Sequence, residues 1–332
     1  MSTTSARLDV AGPFYEELQV GQLFDSSPGL TLTEGHAALH QAILGDRLRI
    51  NLDRHLAHDV TGGVPAHPGL VCDVAIGQST LATQRVIANL FYRGLVLRRS
   101  PRLGDTLRTT TEVVALRDTS SKPVGLAVLH IRTVDQDGRA VLDFHRCAML
   151  PMRSADARPG HADDLDAISA ELDPAGLTAC IDGWDLAAYR RAVPGQHGAQ
   201  IEPGAEYVIE SGDTVTGATE LVRLSLNVAA AHSDPGSGGR GQRLVYGGHT
   251  IGIALQHVTR AIPNLLTVAA WRSCDHLGPV FEGDVLHSRV VVQAVTRAAH
   301  DSTLVDLRVR TDAARTQREP VLDWQLIGVM AW

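Results

Sequence analysis

The sequence contains an internal repeat, in which short segments of the first half return in the second half at a nearly constant offset. Gly104 and Asp105 of RLGDTLRT correspond to Gly283 and Asp284 of FEGDVLHS, at an offset of 179 residues. The segment VLDF, which begins at Val141, returns as VLDW at an offset of 180 residues. Chance matches do not usually keep register, so we expect two copies of one folding unit.

The size and charge of the chain agree with two ordinary globular units. Its 332 residues are enough for about two domains. Hydrophobic residues make up 44% and charged residues 20%, both near globular averages. A formal net charge of −7 argues against a nucleic-acid partner, because nucleic-acid-binding surfaces are normally basic.

The sequence shows no targeting, membrane or metal-binding pattern. Its first residues lack the basic region and apolar run of a secretory signal, and no stretch approaches the roughly 18 apolar residues of a spanning helix. We therefore expect a cytoplasmic protein without membrane contact. The four cysteines form no CxxC or Cys/His ligand spacing, which predicts neither a zinc site nor a disulfide framework. We expect no bound metal.

Composition divides the chain into three parts. Residues 153–202 begin with RSADARPGHADD, which is rich in small, polar and charged residues, and continue with short segments such as WDLAAYRRAV. We interpret this part as a surface linker with one or two short helices. It separates an N-terminal unit, residues 1–152, from a C-terminal unit, residues 203–332.

Both units show the same order of patterns. In the first, LVCDVAIGQSTLATQRVI follows Pro68 and Gly69 and is apolar nearly all round for about five turns, which is typical of a buried helix. GGHTIGIALQHVTRAI takes this place in the second unit. Four segments rich in β-branched residues follow in each unit, and DQDG at 135–138 predicts a hairpin.

One long buried helix followed by antiparallel strands predicts an α+β fold in which a sheet wraps round a helix, the hot-dog arrangement. Two such units side by side would join their sheets edge to edge and cover otherwise exposed edge strands. We therefore predict a double hot dog.

Residues suited to chemistry cluster before the second long helix. His232 can move a proton near neutral pH, and Asn227 lies five residues before it. Gly247 and Gly248 let backbone approach a ligand closely. The helix start beyond them presents free N–H groups and partial positive charge, which suit an oxygen that becomes negative. Together these features indicate an enolate-forming site for a thioester.

Each of these features also has a structural interpretation. Most histidines are structural or merely exposed, and Asp234 with Pro235 is typical of a turn. The first copy has Asp46 where the second has Asn227, and Asn51 where the second has His232. Either Asp46 ends the helix before it, or the first half contributes Asp46 or an arginine such as Arg47 to a shared cleft. The residues alone leave both interpretations open.

These residues resemble the MaoC-like (R)-specific enoyl-CoA hydratases, whose signature places an Asp, then Asn-Pro, then a His five residues after that Asp, before a Gly-led helix. Over nearly its whole length the chain is similar to the mesaconyl-CoA hydratases, also called β-methylmalyl-CoA dehydratases. The resemblance is carried by RLVYGGH and ANLFYRG, with GPVFEGDVL and VLDWQLIGVM. It implies reversible addition of water to a 2,3-enoyl-CoA, such as one with a branched dicarboxylic acyl group.

The resemblance also implies residue roles. It makes His232 the acid/base and places Asn227 where the superfamily has its catalytic Asp. An amide cannot act as a base, but it can hold a water or a carbonyl in place. The resemblance puts Gly247 or Gly248 at the oxyanion-binding helix start.

Further residues are assigned on weaker grounds. Tyr246 and Asp46 are candidates for substrate binding, and Asp234 is expected to orient the imidazole. Arg240 and Arg243 are candidates for the CoA phosphates, with a solvated loop as the alternative. CoA arrives as part of the acyl-CoA substrate, so we expect no cofactor. We also expect a homo-oligomer, a dimer or higher.

Two other functions fit the same sequence. A hot-dog thioesterase uses this fold on the same acyl-CoA class, with a carboxylate facing the helix start. A non-catalytic acyl-CoA-binding protein is suggested by the incomplete signatures in both halves.

Overall fold

The computed structural model describes residues 10–120, 122–237 and 241–332. Its α-helices are Glu34–Leu44 (α1), Arg49–Leu52 (α2), Arg54–Thr61 (α3), Pro68–Gln78 (α4), Leu186–Ala192 (α5), Ala218–Leu224 (α6) and Gly247–Ala261 (α7). Its strands are Leu23–Phe24 (β1), Leu30–Thr31 (β2), Ala88–Leu97 (β3), Thr106–Asp118 (β4), Val124–Val134 (β5), Ala140–Pro151 (β6), Glu206–Val208 (β7), Asp213–Thr214 (β8), Thr267–His276 (β9), Val285–Ala298 (β10), Ser302–Ala314 (β11) and Arg318–Ala331 (β12).

The strands join into one antiparallel sheet that runs through both halves of the chain. Their order is β1-β4-β5-β6-β3-β9-β12-β11-β10-β7, with β2 on β4 and β8 on β10. The centre is the pair β3 and β9, the equivalent strands of the two copies, with Tyr92 opposite Cys274 and Leu95 opposite Trp271. The predicted edge-to-edge joining is therefore confirmed.

Each half of the sheet packs on its own long helix. The first long helix, α4, contacts β4, β5 and β6, and the second, α7, contacts β10 and β11. The predicted hairpin at DQDG is also confirmed, because Gly138 has a φ of 76° and its N–H donates to the Asp135 carbonyl at 3.1 Å. The fold is the predicted α+β double hot dog.

The first long helix is shorter than the prediction of about five α-helical turns. The α-helix ends at Gln78, and a 3-10 helix continues over Ser79–Thr83. The Ser79 hydroxyl donates to the Ile76 carbonyl at 2.6 Å, and the Thr80 hydroxyl donates to the Gly77 carbonyl at 2.5 Å. Such hydroxyls compete for the carbonyls that an α-helix would use, which favours the tighter helix.

The segment at 153–202 contains α5 and several short 3-10 helices. It contributes fully or nearly fully buried side chains to the main core, among them Cys180, Ile181, Leu186 and Tyr189. The domain boundaries at residues 152 and 203 stay a prediction. No helix among the described residues is long and apolar enough to cross a membrane.

The two halves pack closely where Gly77 of α4 meets the chain after α6. A β-carbon at position 77 would overlap the backbone carbonyl of Ser225. We expect Gly77→Ala to destabilise the protein by about 1–3 kcal/mol, because backbone on both sides must shift. Urea unfolding measures this loss.

The same substitution at Gly35 serves as the control. Position 35 lies in the exposed first turn of α1, where a β-carbon makes only an ordinary contact at 3.6 Å with the Thr33 hydroxyl. Gly35→Ala should therefore raise stability by up to about 1 kcal/mol. Equal urea midpoints for Gly77→Ala and the wild type would contradict the close packing.

Candidate active site

A cavity of about 250 Å³ lies where the start of α7 meets β3 of the other half, and it is called the large cavity below to distinguish it from a pocket of about 30 Å³ beside Asp46. It combines apolar walls with a few polar groups, as small-molecule sites commonly do. The first half contributes residues 86–90 and Tyr92, and the second contributes His232, 244–247, Thr250 and 276–280.

His232 forms one polar wall of this cavity. It ends a short 3-10 helix, Ala230–His232, and its Nδ1 lies 3.0 Å from the Leu244 carbonyl oxygen. Because a carbonyl only accepts, we assign the proton to Nδ1, which leaves Nε2 as the basic nitrogen. Burial lowers the pKa of His232 to about 4, and the Arg146 guanidinium acts in the same direction. The imidazole is therefore neutral at pH 7 and able to accept a proton.

The start of α7 forms the neighbouring wall. Tyr246 is its N-cap residue and makes no side-chain capping bond, and Gly247 is its first residue. The first N–H groups of a helix have no acceptor within it. Gly247 lines the cavity, so these donors and the positive end of the helix dipole lie beside it.

The same position in the first copy is closed. His67 is the N-cap of α4 and stands 179 residues before Tyr246. The Gly69 N–H donates to His67 Nδ1 at 3.0 Å. The first helix start is thus capped by the His67 side chain, whereas the second carries no side-chain capping bond.

The structure separates the two candidate glycines. Gly247 lines the large cavity, but Gly248 does not. A β-carbon at Gly248 would overlap both the Asp73 carboxylate and the Tyr246 ring. Gly247 is therefore the better candidate for contact with a substrate oxygen. Tyr246 lines the cavity, with its ring 5.7 Å from the His232 imidazole.

The side chains of Asn227 and Asp234 make local contacts. The side-chain oxygen Oδ1 of Asn227 accepts a hydrogen bond from the Ala229 N–H at 2.9 Å. Asn227 is not among the residues that line the large cavity. The catalytic role of Asn227 stays a prediction. Asp234 binds the Gly236 N–H at 2.9 Å and the Ser237 hydroxyl at 2.8 Å. The expectation that Asp234 orients the imidazole is not met, because the Leu244 carbonyl holds Nδ1.

The two arginine candidates for the CoA phosphates remain predictions. Arg243 pairs with the carboxylate of Glu282. Arg240 lies outside the described residues.

Asp46 has a histidine partner that the sequence comparison missed. His67 Nε2 lies 2.8 Å from Asp46 Oδ1, which also accepts the Leu48 N–H at 2.8 Å. Burial alone would raise the pKa of Asp46, but His67 and this backbone bond outweigh it and lower the pKa. Asn51 stands at the position of His232 in the repeat, and the imidazole beside Asp46 comes instead from His67, at the position of Tyr246.

Asp46 also lies away from the large cavity. It lines a separate pocket of about 30 Å³ together with His40 and His67. His40 Nε2 in turn lies 3.2 Å from the Asp73 carboxylate. Substrate binding by Asp46 stays a prediction, and this geometry does not place it beside His232.

A second histidine of the large cavity, His276, escaped the sequence analysis. It ends β9 and lines the cavity beside Gly247, the first residue of α7. No motif surrounds it, so only the pairing of β3 with β9 brings it to the site.

Fold and site together define a double hot-dog protein in which His232 and the start of α7 line one cavity. No protein-family model matches the chain. A solved structure from Mycobacterium tuberculosis, a conserved hypothetical protein with a double hot-dog fold, is 49% identical with a TM-score of 0.89. The match covers 97% of this chain and 100% of that one. The structure of a putative MaoC domain protein dehydratase from Chloroflexus aurantiacus is 25% identical with a TM-score of 0.83. This match covers 98% of this chain and 99% of that one.

Two curated proteins match over most of their length. The β-methylmalyl-CoA dehydratase of Chloroflexus aurantiacus is 28% identical over 313 residues, which cover 92% of this chain and 88% of the relative. The mesaconyl-CoA hydratase of Cereibacter sphaeroides is 26% identical over 320 residues, which cover 93% of this chain and 91% of the relative. The chain belongs to the MaoC-like hydratase and dehydratase superfamily, in the family of the mycobacterial double hot-dog protein.

Proposed function

We propose that the protein is a hydro-lyase that reversibly adds water to a 2,3-enoyl-CoA thioester. One observation carries the proposal: the His232 imidazole and an uncapped helix start line the same cavity. The first supplies a base and the second a site for a developing oxyanion.

The proposed reaction needs only these two groups and a water molecule. The thioester oxygen lies at the helix start near Gly247. His232 Nε2 takes a proton from water as the water oxygen bonds to the β-carbon, and the electron pair of the double bond moves towards the thioester oxygen. His232 then returns the proton to the α-carbon, which restores the thioester. Dehydration follows the same steps in reverse.

We propose a branched dicarboxylic acyl group, as in the names of the two curated relatives. A second carboxylate needs a cation, and Arg146 of β6 is a nearby candidate. Its side chain is buried, with no carboxylate within ion-pair distance among the described residues, and its charge affects His232. Its Nη2 donates to Thr83 Oγ1 at 2.8 Å, while its Nε has no partner in the described part of the chain.

The assay is direct. The purified protein is incubated with mesaconyl-CoA and with crotonyl-CoA, and the absorbance of the conjugated enoyl thioester is followed. We expect absorbance to fall to an equilibrium value with mesaconyl-CoA, and more slowly with crotonyl-CoA, which lacks the second carboxylate. Stable absorbance with both bound thioesters would refute the hydratase function.

One contact favours the thioesterase as second candidate. The Asp73 carboxylate faces Gly248 near the start of α7, the placement that hot-dog thioesterases use. Against it, Asp73 is paired with His40 and does not line the large cavity. Release of free CoA thiol, abolished by Asp73→Asn and retained by His232→Gln, would select the thioesterase.

Location in the cytoplasm, a homo-oligomeric state and independence of a cofactor remain proposals. Light scattering on the protein as it elutes from a size-exclusion column measures its molar mass and so tests the oligomeric state.

A further inference from the structure

His276 lines the large cavity and carries an unused polar atom. Its Nε2 is buried and has no hydrogen-bond partner among the described residues. A β-carbon built on Gly247 would lie 2.6 Å from this nitrogen, so Nε2 lies directly against the first residue of α7. The Tyr92 ring contacts the imidazole edge-on, with ring centroids 5.9 Å apart. The imidazole is thus held in place with one nitrogen facing the helix start.

A buried nitrogen without a partner costs free energy, so a ligand or a water is expected to supply one. Burial lowers the pKa of His276 to about 4, and His232 contributes in the same direction. The ring is therefore neutral at pH 7 and can carry its proton on Nε2. An oxygen bound at the helix start accepts hydrogen bonds only, so Nε2 must be the donor towards it.

We propose that His276 Nε2–H donates a hydrogen bond to the thioester oxygen of the bound acyl-CoA, beside the backbone donors at Gly247. This inference deepens the proposed hydratase function and rests on it for its catalytic meaning. A neutral imidazole suits the task, because it stabilises the enolate oxygen without giving up its proton. His276 then joins the oxyanion site, and His232 remains the acid/base.

The hydrogen bond can be tested without turnover. Butyryl-CoA has a saturated acyl chain and can be neither hydrated nor dehydrated. Infrared difference spectra of the ¹³C-labelled thioester carbonyl should show a lower stretching frequency when it is bound to the wild type than when free. His276→Leu should remove part of this shift, and His276→Gln, whose amide N–H reaches a similar position, should restore some of it.

The kinetic arm uses mesaconyl-CoA. His276→Leu should lower kcat by about 100-fold, as loss of one oxyanion donor does elsewhere, with KM little changed. His276→Gln should recover part of the loss. His287→Leu is the matched control, because His287 also has a buried nitrogen without a partner in the described structure but lies outside this cavity. It should change neither kcat nor the carbonyl frequency.

The outcomes separate the two proposals. An unchanged carbonyl shift in His276→Leu overturns the donor role, even if its activity falls. A shift that depends on His276 in a protein inactive on every enoyl-CoA retains the hydrogen bond and removes the hydratase function.

Discussion

Replacing His232 by glutamine should lower kcat for enoyl-CoA hydration by about 100- to 10,000-fold, the range that general acid–base catalysis supplies. Glutamine keeps a polar side chain of similar length but cannot accept a proton at pH 7. KM should change little, since the helix start and the apolar walls still bind the thioester. Stopped assays with mesaconyl-CoA measure both constants.

His58→Gln is the matched control for this experiment. His58 is exposed on α3 and lies outside the large cavity, so its replacement should leave kcat unchanged. Circular dichroism must show both variants folded. Near wild-type turnover in His232→Gln would move the acid/base role to another group.

The repeat predicted the fold because both copies preserve what a sheet requires. Asp105 and Asp284 each precede a long strand, and each carboxylate accepts a backbone N–H three residues earlier, from Arg102 and Phe281. The alternation of apolar and polar residues along a strand and the residues of its turns are local signals, so they can be identified in one copy and checked in the other. The edge-to-edge joining of the two sheets followed from the need to cover edge strands, whereas the structure identifies β3 and β9 as the strands that pair.

The candidate site was predicted only where its residues lie close in sequence. His232 and Gly247 are 15 residues apart, and the structure brings both to the cavity. His276 arrives from a strand end, and Asp73 from inside a helix that reads as apolar. Neither position carries a local pattern, because each is defined by packing between the two copies.

For a related reason, Asp234 does not contact the residue expected for it, and the partner of Asp46 was not predicted. Asp234 lies two positions from His232, but its side chain closes its own turn on Gly236 and Ser237. Asp46 lies 21 positions from His67, yet they meet because His67 caps the start of α4. Nearness in sequence is a poor guide to side-chain contact where short polar residues can bond their own backbone.

Acid should destabilise the fold strongly between pH 6.5 and pH 4. Burial lowers the pKa values of His232 and His249 to about 4, against 6.5 for an unperturbed histidine. Between these pKa values the unfolded chain binds more protons than the folded protein. The stability that the two neutral histidines allow is therefore complete above pH 6.5 and is lost as the pH falls towards 4. At 1.36 kcal/mol per pKa unit, each histidine accounts for roughly 3 kcal/mol, a large share of a typical folding free energy. Urea midpoints at pH 7.5, 6.5, 5.5 and 4.5 measure the loss.

His249 offers a way to assign this effect to a single imidazole. It is fully buried in α7, neither ring nitrogen has a partner among the described residues, and it does not line the large cavity. His249→Met removes one titrating group without touching the candidate site, so this variant should lose roughly 3 kcal/mol less than the wild type between pH 6.5 and pH 4. Its urea midpoint at pH 4.5 should therefore exceed that of the wild type. Equal pH dependence of the two proteins would mean that His249 is protonated in the folded state at no cost, and that its burial does not exclude the charge.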